Sequence, residues 1–168
     1  MPQLVALSVS IAVLGGIWAW VCLGTTIGLI VWAGFIGWGC FFHTGGDTKA
    51  LTKTIAGNVY GAVVAWVALM IVTKVPMVPL GAIWPALVIG VTVFFLVIVA
   101  SIDPLSSVPA NVYGYAATAA FGLHVAGASV TAANMTNPLI AVAVSMVLGA
   151  VLGMVSGKVS AALTAKTA

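Results

Sequence analysis

The chain has 168 residues, 63% of them hydrophobic and 4% charged, with five Lys, two Asp and neither Arg nor Glu. A soluble globular domain carries about a quarter charged residues, disorder needs low hydrophobicity with high charge, and a nucleic-acid binder needs a dense basic patch. The composition excludes all three and predicts an all-α integral membrane protein with the lipid bilayer, not nucleic acid, as its surroundings.

A membrane-crossing helix needs about 20 mostly apolar residues. Six such stretches follow one another: Leu4–Leu23, Thr26–Phe42, Ala56–Thr73, Leu80–Ala100, Pro109–Gly127 and Pro138–Ser156. They predict a single six-helix transmembrane domain over residues 1–157 and a short cytoplasmic tail over 158–168. The first stretch is too long for a signal-peptide core and lacks a charged leader, so it reads as mature structure. Lys49 and Lys53 fall between spans two and three, Lys74 between three and four, and Lys158 and Lys166 after span six. The excess of Lys on one side predicts both termini in the cytoplasm. Cys22 and Cys40 have no metal-type spacing and read as small packing residues.

One stretch recurs. Asn58-Val59-Tyr60-Gly61 returns as Asn111-Val112-Tyr113-Gly114, an offset of 53, and the same offset aligns Phe41-Phe42 with Phe94-Phe95 and Ile36-Gly37 with Ile89-Gly90. Over 27–69 against 80–122 there are 11 identities in 43 positions, against about four expected from the composition. The reading is a parallel repeat of two helices and a loop of about 12 residues, with Pro85 over Pro138 suggesting a degraded third copy.

The repeated block carries the candidate site. Asn58 and Asn111 fall near helix starts, where they either cap first-turn amides or line a polar path, an amide being able to donate and accept without a buried charge. Tyr60 and Tyr113 follow as interfacial aromatics or as path hydroxyls. Phe42 and Phe95, from the paired aromatics, are candidates for a hydrophobic constriction. His43, in the polar stretch before Lys49, is placed at the cytoplasmic mouth; His124 lies too far along its span to share a site with Asn111. Gly57 with Gly61, and Gly149, Gly153 and Gly157, form ridges that let helices approach. No nucleophile–base set, carboxylate pair or metal cluster falls within the spans, so the chain reads as no enzyme, without metal or cofactor.

With its length, its six spans and the stretch Phe42-His43-Thr44-Gly45-Gly46 through Lys53 to Asn58 and Gly61, the sequence resembles the YcdZ-like family of bacterial inner-membrane proteins of unknown function. The resemblance implies a small integral inner-membrane protein and brings no activity with it. Gly57-Asn58-Val59-Tyr60-Gly61 is also similar to the helix opening Gly-Asn-Thr-Phe-Gly of the acetate permease family, whose proline-rich N-terminal motif this chain lacks.

The functional expectation is a channel or facilitator for a small polar solute, urea- or amide-like or a short carboxylate such as acetate or formate. A pump would place charged residues within the membrane. The alternative is a non-transporting assembly or scaffold protein. A homo-oligomer of roughly three to six subunits is expected, because Gly149, Gly153 and Gly157 offer a glycine-lined surface for close contact. Reporter fusions after Lys158 are expected to be active on the cytoplasmic side, and periplasmic activity would reverse the topology.

Overall fold

The computed structural model describes residues 1–165; Lys166 and the end of the expected tail lie outside the described residues. Among the described residues are six α-helices, three 3-10 turns and no strand: α1 (Gln3–Gly24), α2 (Val31–His43), α3 (Thr48–Lys74), α4 (Ile83–Ile98), α5 (Val108–His124) and α6 (Pro138–Ala165). Residues 158–165, expected as tail, are the last turns of α6. Four helices are long and apolar enough to cross a membrane: α1, α3, α6, and α4 with its 3-10 extension to Ser101. The 13 residues of α2 and the 17 of α5 give rods of about 20 and 25 Å, short of a hydrocarbon layer of about 30 Å.

Helix α3 starts at Thr48, well before the expected Ala56. Asp47 is its N-cap, its carboxylate accepting from the Ala50 amide at 2.7 Å, which offsets the polar first turns. The connection from α2 is therefore the tight turn 44–47, in which Gly45 and Gly46 take positive φ, and not a loop of about 12 residues. Where the 53-residue offset carries these first turns of α3, residues 99–107 hold two 3-10 turns, Val99–Ser101 and Asp103–Leu105. Pro104 and Pro109 disfavour helix in the residues before them, so the two aligned stretches differ at this point.

Glycines set the packing. Helices α3 and α5 run side by side in one direction, with Gly57 against Ala110, Gly61 against Asn111 and Tyr115, and Gly122 against Leu69. Helices α2 and α6 do the same, with Gly37 against Met146, Gly149 against Gly34, and Gly153 against Trp38 and Phe41. At both crossings a Cβ would collide with backbone: Gly61 meets the carbonyl of Asn111, Gly114 that of Asn58, Gly37 that of Met146, and Gly149 that of Gly34. Such approach substitutes Cα–H···O contacts and dense dispersion for a hydrophobic driving force that lipid does not supply. Helix α3 also packs on α6, α1 lies against α6, and α4 lies against α3. The hold on α4 is thin, since only Val88, Thr92 and Leu96 are buried along it.

Hydrogen bonds pin the irregular segments. Before α2, the Ile30 amide donates to Ser145 Oγ at 2.9 Å and the Trp18 indole to the Val31 carbonyl at 3.0 Å. Ser145 is seven residues beyond the first residue of α6, so α2 begins about 10 Å inward of that end. Residues 125–137 fold back over the same end, with the Trp66 indole donating to the Val130 carbonyl at 2.8 Å and Asn137 donating to Val130 and Ala132. Lower in the bundle, Trp38 donates to Ser156 Oγ at 3.0 Å, and Ser10 to the Ser156 carbonyl at 2.9 Å.

Lys49 and Lys53 follow the α2–α3 turn, and Lys158 lines a cleft with Gly46, Asp47 and Thr48, so these three gather at one end of the bundle. Lys74 closes α3 at the other end. Lys53 pairs with Asp103 at 3.1 Å. Gly61→Leu and Gly149→Leu are each expected to cost about 3 kcal/mol, read as loss of folded protein in thermal unfolding followed by circular dichroism. Gly16→Leu is expected to be tolerated, because a Cβ there meets nothing within 4 Å.

Candidate functional site

Neither repeated Asn caps a helix. Asn58 lies in the interior of α3, ten residues past its start, and Asn111 lies in the first turn of α5, whose N-cap is Ser107. Both are fully buried, and they meet where α3 crosses α5. Their amides are spent differently. Asn111 Nδ2 donates to the carbonyls of Leu96 at 3.2 Å and Leu105 at 3.1 Å, tying the end of α4 and the following turn to α5. That fixes its orientation and leaves Oδ1 as an acceptor without a protein partner, lying over Gly57. Asn58 has no protein partner for either Oδ1 or Nδ2.

More polar atoms share this interior. Thr54 Oγ1, one turn before Asn58, and Thr118 Oγ1, two turns after Asn111, are likewise buried without a partner. The Cys40 thiol of α2 meets Thr44 Oγ1 at 3.9 Å and faces Thr54 and Asn58 without hydrogen-bond geometry to either. On its other side, Cys40 forms part of the floor of a groove between α2 and α5 with a volume of about 780 Å³, lined also by Trp32, Ile36, Gly39, Tyr113 and Ala116. His43 stands at the groove's Lys-rich end, its ring edge-on to Tyr113 with centroids 6.0 Å apart.

Of the residues singled out in the sequence, Asn58 and Asn111 come together, as do His43 and Tyr113. Tyr60 turns away, its hydroxyl donating to the Phe95 carbonyl at 2.9 Å across the α3–α4 contact. Phe42 packs edge-on against Phe41 and lines a cleft with Gln3, Leu7 and Gly157. Phe95 is 54% exposed on α4, one residue off the stripe by which that helix packs. Phe42 and Phe95 are thus not brought together within the chain. Sequence reasoning missed Thr54, Thr118 and Cys40; a Thr one turn from a buried Asn shares its face, and that spacing was readable. Among the described residues no three His, Cys, Asp or Glu side chains converge on a metal position.

Helices with polar side chains at their crossing, in a chain nearly free of charge, define a multi-helix membrane protein with a polar interior. Residues 8–161 match the family described as "Protein of unknown function (DUF1097)", and the chain belongs to that family. Over 119 residues, 70% of this chain and 70% of the relative, it is 32% identical to the Inner membrane protein YcdZ of Escherichia coli (strain K12). The YcdZ-like resemblance is borne out. No solved structure matches the chain.

The two asparagines are expected to differ in stability measurements. Asn58→Ala removes a buried amide that has no protein partner and should unfold at or above the wild-type temperature. Asn111→Ala frees the carbonyls of Leu96 and Leu105 from their donor and should cost about 1–3 kcal/mol. Thermal unfolding in detergent checks both.

Proposed function

We propose that the protein is a channel or facilitator for a small polar solute in the bacterial inner membrane. The observation that carries this reading is the buried set of partnerless polar atoms on Thr54, Asn58, Asn111 and Thr118. A polar group buried without a partner costs about 1–3 kcal/mol, and in hydrocarbon no bulk water relieves it. Groups retained at that cost have a use when a passing solute, or water moving with it, completes them. The absence of charge from the apolar stretches fits passive movement better than pumping.

The same amides rank the candidate solutes. Asn111 has its Nδ2 committed to two carbonyls, so toward the interior it offers only an acceptor. A solute that satisfies it must carry an N–H or O–H donor. Urea and small amides do so, whereas acetate and formate anions do not.

Helices α2 and α5 complete six crossings with the pinned segments that flank them. The end bearing Lys49, Lys53 and Lys158 is cytoplasmic by the charge rule. The 53-residue echo is a duplication centred on the crossing, the assembly is a homo-oligomer, and the protein works without cofactor and is not an enzyme. The "inner membrane" in the name of the Escherichia coli relative supports the location.

Flux in proteoliposomes tests the proposal. Wild-type protein is expected to speed urea entry over empty vesicles. Asn58→Asp sets a carboxylate beside the path and should slow entry about tenfold or more, while Asn58→Ser keeps most of it. Unchanged flux in a folded Asn58→Asp protein would remove Asn58 from the path.

A further inference from the structure

We infer that the groove between α2 and α5 is the solute's binding site, because it lies on an axis relating two inverted halves of the chain; this rests on the facilitator reading and locates the molecule within it. One half is α1–α2–α3 and the other α4–α5–α6. Exchanging α1 with α4, α2 with α5 and α3 with α6 returns the same neighbours. The α3–α5 pair becomes α6–α2, α1–α6 becomes α4–α3, and α2–α5 and α3–α6 map onto themselves. A shift of three helices reverses direction, so the halves are oppositely oriented.

The match extends to single residues. An offset of 77 carries Gly34 and Gly37 onto Asn111 and Gly114, and one of 88 carries Asn58 and Gly61 onto Met146 and Gly149. These are the eight residues that make the two backbone crossings. The sequence keeps a trace of it. At 88, Val59-Tyr60-Gly61-Ala62-Val63 meets Val147-Leu148-Gly149-Ala150-Val151 with four identities in five; at 77, Val31, Ala33 and Gly37 meet Val108, Ala110 and Gly114.

The two-fold axis passes where a helix meets its own mate, at α3–α6 and at α2–α5. The groove sits at the second, and its lining pairs accordingly: Ile36 with Tyr113, Gly39 with Ala116, Cys40 with Ala117. Behind Cys40 lie Thr54 and Asn58, both fully buried beneath the groove floor. The walls are apolar, and the polar groups on the lining side chains are the Trp32 indole, the Cys40 thiol, the Tyr113 hydroxyl and the His43 imidazole. The site therefore takes a small uncharged molecule with a hydrogen-bond donor. Inverted halves meeting at a midplane site are the arrangement through which access alternates between the two faces.

The test is uptake of urea, acetamide and glycerol into proteoliposomes by stopped-flow light scattering, with wild-type protein and with Gly39→Leu, Ala116→Leu and Gly90→Leu. A Cβ on Gly39 or Gly90 meets nothing within 4 Å, so both leucines spare the packing and differ only in standing in the groove or on α4. Gly39→Leu and Ala116→Leu should each slow uptake about tenfold or more, and Gly90→Leu should run at the wild-type rate. If wild type conducts and the groove variants match it, or if Gly90→Leu loses as much as they do, the groove assignment falls and the facilitator reading stands. If wild type conducts none of the three solutes, both fall. Undiminished flux in the groove variants with loss of a co-purifying phospholipid, or with a changed oligomer mass, gives the groove to a lipid or to a second copy and also overturns the assignment.

Discussion

Backbone pressed on backbone at two glycine crossings is the contact on which the rest of the bundle depends. In lipid, apolar side chains gain little by leaving the solvent, and close fit has to do the work that water does elsewhere. Gly61 and Gly114 bring α3 onto α5, and Gly37 and Gly149 bring α2 onto α6. These clamps hold α5 to α3 and α2 to α6, and α3 packs on α6. Nothing draws α2 and α5 together with equal force, and the space left between them is the groove. Trp18 over Gly34, Trp38 on Ser156 and Phe41 against Gly153 then take positions that the clamps define.

The polar interior depends on the same closeness. Gly57, lacking a side chain, gives Asn111 Oδ1 its place, since a Cβ there would stand 2.8 Å from that oxygen. The two amides sit at one crossing in unlike roles. Asn111 is a brace for backbone that proline has kept out of helix, and Asn58 is a group without an internal task. At the partner crossing the corresponding positions are Gly34 and Met146, so the polar character belongs to one half of an otherwise matched pair.

Most of the helices were legible in their apolar runs: α1, α4, α5 and α6 begin within about three residues of where hydropathy puts them. The start of α3 was hidden, since Thr48, Lys49, Thr52 and Lys53 dilute the apolar signal while Asp47 supplies the cap. The same hidden cap bears on Asn58, which resembles a helix start only for a helix that begins at Ala56. The paired Phe residues show a different limit. Periodicity says that a residue lies on a helix, but the neighbour that each face meets is decided by packing, and along α4 the buried stripe is Val88, Thr92 and Leu96. The 53-residue echo stands out in the sequence because it includes Asn and Tyr. The shift of 88 is written in Val, Gly and Ala, and it gains meaning only once two crossings of the same kind are seen.

The thinly held α4 and the short α2 stand at opposite extremes when the chain is first threaded into a bilayer. With 16 helical residues, a 3-10 extension and no charge, α4 is apolar on every side but that of Thr92, so lipid suits it without any partner. Helix α2 has 13 residues, and its four-residue turn into α3 leaves no slack. A rod that short leaves backbone ends within the hydrocarbon if it crosses alone. It enters at low cost only as one arm of a hairpin with α3, and the Ile30 amide at its start is satisfied once Ser145 closes on it from α6. The N-terminal part of the bundle thus has to wait for the last helix of the chain before its own backbone is satisfied.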